Sequence, residues 1–150
     1  MKFILKAIVL FILIMSFNKG HAQEVTERRP QLFSSFANTI NFPASELEKI
    51  CNTAEGNPIQ LSLEKNMSFT GTVISSLHPY ENLQSVIVRL DNLDNTVLGV
   101  SKIINDDKSI TYKGRIINHK YADAFELRSD ASGKYFINKI KTQDLVQDHE

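Results

Sequence analysis

Four histidines, one cysteine and a scatter of acids are the side chains of this 150-residue chain suited to covalent or metal chemistry. The densest cluster is His119-Lys120-Tyr121-Ala122-Asp123-Ala124-Phe125-Glu126. On a helix, His119, Asp123 and Glu126 would share one face and offer an imidazole and two carboxylates to a divalent metal. On a strand, Asp123 and Glu126 point to opposite faces and the set does not form. A second possibility is nucleophilic: Cys51 with His78 or His119 as base, or a small hydrolase in which His78 or His119 works with Asp123. Cys51, however, lies on the apolar stripe of a predicted helix, where a thiol is core material. The chain has no Gly-x-Ser-x-Gly elbow, no His-Glu-x-x-His and no glycine loop able to cradle phosphate. No catalytic residue, no metal ligand and no cofactor is therefore assigned.

Recognition without reaction is the other chemistry to weigh. The second half of the chain is mildly basic, with tyrosines interleaved. Lys113, Arg115 and Lys139, with Tyr112 and Tyr135, are the residues expected to form a cationic and aromatic face for an anionic glycan or an acidic protein segment.

The elements that must position these groups begin after an N-terminal segment of a different kind. Lys2 and Lys6 precede the apolar run Ala7 to Met15, and Gly20-His21-Ala22 supplies small residues before Gln23, the pattern of a secretory signal peptide cut after Ala22. The run is too short to span a membrane, which takes roughly 20 apolar residues. Secretion or a periplasmic location is expected, with no membrane span after cleavage. Those 22 residues hold three Lys and no acid, so of 17 basic and 17 acidic side chains 14 and 17 remain, a net charge of −3. Such a balance gives no reason to expect nucleic acid as a partner. A single Cys rules out an intramolecular disulfide, so the core alone must hold the fold. Asn66-Met67-Ser68 fits a glycosylation sequon, one that a bacterial secretory route would not normally use.

Residues 23–30 read as a polar, disordered leader. Leu32, Phe33, Phe36, Ala37 and Ile40 recur at helical spacing behind Pro30, predicting a helix over 31–40. Ser45-x-x-Glu48 has the form of a capping box, and Leu47, Ile50, Cys51 and Ala54 continue an amphipathic helix that Gly56 closes. After Pro58 the period drops to two. Strands are expected near 59–64, 68–75, 84–90, 96–103, 109–117, 122–128 and 134–141, with residues 143–150 as a tail. Their short polar connections force antiparallel neighbours. The fold class is thus α+β: two short N-terminal helices packed on a curved antiparallel meander of six or seven strands, strongly bent or closing toward a barrel.

An internal repeat supports the bend. Phe69-Thr70-Gly71-Thr72-Val73-Ile74 and Tyr112-Lys113-Gly114-Arg115-Ile116-Ile117 share the form aromatic-x-Gly-x-[Val/Ile]-Ile, and 98–103 aligns with 135–140. Two three-stranded units, 69–103 and 112–140, are inferred. A glycine within a strand weakens it unless the missing side chain makes room for a bend or a close neighbour. Gly71 and Gly114 are assigned that structural role, with Phe69 and Tyr112 packed beside the gaps.

The sequence Phe69-x-Gly71-x-Val73, followed by Ser85 to Leu90 and Leu98-Gly99-Val100, is similar to the β-rich propeptide domains of secreted zinc metalloproteases. Within these 150 residues no protease domain follows, and Cys51 precedes the strands, so no inhibitory cysteine is carried over. The resemblance implies a stand-alone protease inhibitor or folding chaperone. The residues themselves point to an exported, non-catalytic module whose curved sheet binds a protein or glycan, with homodimerisation through edge strands as a further expectation.

Overall fold

A computed structural model describes residues 29–64 and 67–146. The signal peptide, most of the leader, Asn66 of the sequon and the end of the tail lie outside the described residues. The described residues form one antiparallel sheet of eight strands, curled into a half-barrel around one helix. In chain order these are β1 (Thr39–Asn41), α1 (Ala44–Asn52), β2 (Pro58–Ser62), β3 (Ser68–Tyr80), β4 (Leu83–Leu90), β5 (Thr96–Ile104), β6 (Ile110–Ile117), β7 (Asp123–Ser129) and β8 (Tyr135–Lys141), with a 3₁₀ turn at Thr142–Val146. The sheet order is β1-β8-β7-β6-β5-β4-β3-β2. β2 to β8 form a plain meander. β1 adds to β8 at one edge, and α1 then carries the chain across the concave face to β2 at the opposite edge.

That path corrects the expected first helix. Residues 32–36 form bends and a single turn, closed by Phe36 N–H on the Phe33 carbonyl at 3.0 Å, and residues 39–41 are strand. The reason lies about ninety residues downstream. Asp123 is buried, and its Oδ1 and Oδ2 accept from the backbone N–H groups of Leu32 at 2.7 Å and Phe33 at 2.9 Å. The carboxylate fixes the entry of the segment, and β8 takes the backbone that a helix would need further on: Lys139 Nζ donates to the Phe36 carbonyl, Lys139 N–H to the Asn38 carbonyl, and Thr39–Asn41 pair with the strand. The apolar spacing survives because Phe33 packs edge-on against Phe125, with centroids 4.8 Å apart, and against Phe36 at 5.5 Å. The end of the leader is tied down as well, since Ala122 N–H donates to the Pro30 carbonyl and Arg29 Nη1 to the His119 carbonyl.

The second expected helix is present, with different ends. It starts at Ala44 behind Pro43, no side chain caps it, and it stops at Asn52. The capping box at Ser45 is therefore not formed. Gly56 sits beyond the helix in a turn, at φ +85°. Leu47, Ile50 and Cys51 are buried on the core side as the stripe requires, while Ala54 lies exposed past the helix.

The two strand glycines make room for close neighbours. Both lie on the concave side, in phase with Phe69 and Val73 or with Tyr112 and Ile116. A Cβ on Gly71 would overlap the Arg89 carbonyl oxygen, and one on Gly114 would lie 2.5 Å from the Gly99 carbonyl oxygen. The neighbouring strand crosses where a side chain would otherwise stand, the close approach for which glycine is used in strands. Gly71 pairs with Leu90 on β4, and Gly114 pairs with Leu127 on β7. The third strands differ: Leu90 faces Thr96, whereas Leu127 faces Ile137. The ladder thus equates Thr96 with Ile137, four residues out of step with the sequence alignment of the two units.

Candidate functional site

Strand alternation sorts the concave side chains into rows. The rows nearest the start of β7 are apolar and filled, by Leu90, Val88, Leu98, Ile116 and Phe125 among others. Toward the opposite end of the strands, Gln84, Lys102 and Tyr112 stand side by side across β4, β5 and β6. α1 closes over this polar row. Gln84 Nε2 donates to the Cys51 carbonyl at 2.8 Å, satisfying one of the carbonyls that a helix end leaves open. Beyond the row, Ile104 pairs with Ile110, in the inward phase but past the reach of the helix; they are 38% and 47% exposed.

β6 and β7 are registered only from Gly114 to Ile116, so the first half of β6 has no strand partner on that flank. Tyr135 fills the gap. Its hydroxyl accepts from Tyr112 N–H at 3.1 Å, and the two rings meet edge-to-face with centroids 5.5 Å apart. Burial pushes the Cys51 thiol above its ordinary value of 9.0, opposed by the cationic Lys102 nearby and assisted by Glu48. Burial likewise raises Tyr112, with Cys51, Glu48 and Tyr135 adding in the same direction. A protonated thiol and phenol beside one ammonium group make a polar, non-nucleophilic floor.

The residues expected to act together are divided between faces. Tyr112, Tyr135 and Lys139 lie on the concave side, whereas Lys113 and Arg115 project from the convex one. Lys139 Nζ donates to the Phe36 carbonyl at 2.8 Å and thereby holds the 32–38 segment. Arg115 lies 3.7 Å from Glu126, which also pairs with Arg128 at 2.7 Å. The single cationic and aromatic face expected from sequence does not exist as one surface.

Nor does the structure bring the candidate reactive residues together. His78 is exposed on β3, His119 is exposed between β6 and β7, Asp123 is spent on the Leu32 and Phe33 amides, and Glu126 points outward to arginines. Among the described residues no group of three or more His, Cys, Asp or Glu could hold a metal ion. A shallow depression of about 360 Å³ lies elsewhere, lined by Pro58, Gln60, Thr70, Gly71 and Asp91.

Gln84, Lys102, Ile104 and Ile110 were not singled out from sequence as a site. One clue was present: Lys102 continues the inward phase of Leu98 and Val100, a cation where the pattern calls for an apolar residue. Comparison with protein-family models, curated proteins and solved structures finds no match to this chain. Among the described residues no helix is long and apolar enough to cross a membrane.

Proposed function

We propose that this chain is an exported, non-catalytic binding module that takes a protein segment at the helix-free end of its concave face. The reading rests on one observation: Ile104 and Ile110 are exposed in the inward phase, next to the Gln84–Lys102–Tyr112 row. Exposed apolar side chains beside fixed polar groups are the usual makings of a recognition surface. A protein is favoured over a glycan because Tyr112 is buried and packs edge-on with Tyr135, so it offers no open ring face to a sugar. Export follows from the Lys2-to-Ala22 pattern. A protease bound in the manner of a propeptide would be one such partner.

The test is site-specific photocrosslinking in the native envelope, with a photoreactive residue at Ile110 on the concave side or Lys113 on the convex side. A discrete protein adduct from position 110, lost when Ile104 is changed to Asp, is expected. Adducts from position 113 alone would place recognition on the other face and refute the reading.

A further inference from the structure

Besides the first half of β6, met by Tyr135, three stretches of the sheet lack a strand on one flank among the described residues, and they are guarded differently. β1 is only three residues long. The outer flank of β2 faces α1, where Lys49 Nζ donates to the Gln60 carbonyl and Glu46 Oε2 accepts from Ser62 N–H, both at 3.0 Å. The third stretch is the distal part of β3. β2 pairs with it only from Ser68 to Thr72, and Val73 is closed by Gly56 N–H at 2.8 Å and the Asn57 carbonyl at 3.0 Å. Beyond that, Ser76 N–H reaches Glu55 Oε2 at 3.4 Å, and no strand among the described residues covers the flank as far as Tyr80.

This overhang carries the two most exposed large apolar side chains of the fold, Leu77 at 59% and Tyr80 at 69%. No Lys, Arg, Asp or Glu occurs between Ser68 and Tyr80. Natural edge strands are commonly blunted by such charges, and here Pro79 and the Glu55 carboxylate are the guards. An uncharged strand is its own electrostatic complement: laid antiparallel against itself, it sets no like charges opposite each other.

We infer that two copies of this chain pair through their β3 overhangs, antiparallel about a two-fold axis at Leu77, joining two half-barrels into one continuous sheet. The Ser76 N–H points off the sheet, and His78, two residues on, points the same way ahead of the irregularity before Tyr80. Ser76 then stands opposite His78 of the partner subunit, which forms a hydrogen-bonded pair on each side of the axis. Leu77 meets Leu77 of the partner subunit on the convex surface and loses its exposure. The Glu55 carboxylate must release Ser76 for this to happen, so it opposes dimerisation. The pairing does not depend on the proposed concave site, whose crosslinking test is separate.

Analytical ultracentrifugation over a range of concentrations tests it, on the full chain expressed with its N-terminal segment and purified after export. A monomer–dimer equilibrium is expected. Leu77→Lys, which sets two ammonium groups together at the axis, should weaken the dimer at least about tenfold. Ser76→Pro, which deletes a donor that β4 does not use, should do the same, and Glu55→Gln should tighten the dimer several-fold. Circular dichroism of Leu77→Lys, and its melting at concentrations where both proteins are monomeric, should match the parent, because the side chain is mostly exposed. A chain that stays monomeric throughout overturns the proposal. So does a dimer indifferent to Leu77→Lys, or one lost only on Ile110→Asp.

Discussion

The two ends of the concave face are built from similar materials and put them to opposite use. At the end near the start of β7, three phenylalanines pack around one another, Asp123 holds two backbone amides and Lys139 holds a carbonyl. Every charge named there is engaged by main chain. At the other end, Lys102 makes no ion pair within 4.0 Å among the described residues, Cys51 and Tyr112 stay protonated, and Ile104 and Ile110 face solvent. A half-barrel closed by one nine-residue helix covers only part of its concavity. What the described residues leave uncovered is the surface to which the proposed recognition is assigned.

Substitutions can break this contrast. The largest effect is expected from Phe33→Ala, which should cost about 3–5 kcal/mol as a cavity opens beside Phe125 and Phe36. Ile110→Ala should stay within about 0.5 kcal/mol, as exposed positions usually do. Urea denaturation of both variants measures the difference, and equal losses would mean that the two ends are equally structural.

The polar groups should separate next. Asp123→Asn keeps the shape but replaces a doubly accepting carboxylate with an amide that has one acceptor oxygen. Roughly 1.5–3 kcal/mol should be lost, the scale of a hydrogen bond to a charged group. Lys102→Met should be neutral or mildly stabilising. If Lys102→Met proved as costly as Asp123→Asn, Lys102 would be a strut rather than a free charge.

The smallest effect concerns pH and sharpens the description of the second end. The folded state holds the Cys51 thiol above its ordinary value of 9.0 and the Tyr112 phenol above 10.0. Because the unfolded chain gives up these protons first, their contribution to stability is complete below about pH 9 and is lost as pH rises through the folded values. Denaturation at pH 7 and pH 10 should show the decline, shallower in Cys51→Ala. A thiol as readily alkylated in the native protein as in urea would contradict the burial on which this rests.

Much of the meander was legible because period-two patterning and polar turns are local signals: β2 to β8 fall close to their expected places, and Gly71 and Gly114 stand against neighbouring backbone that leaves no room for a Cβ. The failures have long-range and local causes. Leu32, Phe33 and Phe36 have helical spacing, yet Leu32 and Phe33 are held by Asp123 and Phe36 by Lys139, about ninety to a hundred residues away, and no local window reports that. The overhang of β3 was cut short because a bulge after Val73 and another irregularity before Tyr80 break the alternation twice. The grouping of Lys113 and Arg115 with Tyr112 failed for a reason that was readable, since neighbours on a strand face opposite ways.

One arrangement constrains how the molecule can be made. β1 and β8 are sheet neighbours, with Thr39 opposite Asn138, so the first strand of the sheet in chain order waits for the last. A nascent chain halted anywhere before Ile137 has an orphan strand, an uncovered Ile40 and one edge of its sheet open. Contacts this distant in sequence form late and slowly. The placing of Thr39–Asn41 in the sheet is therefore a late event, one that a cut or a stall between β7 and β8 would prevent.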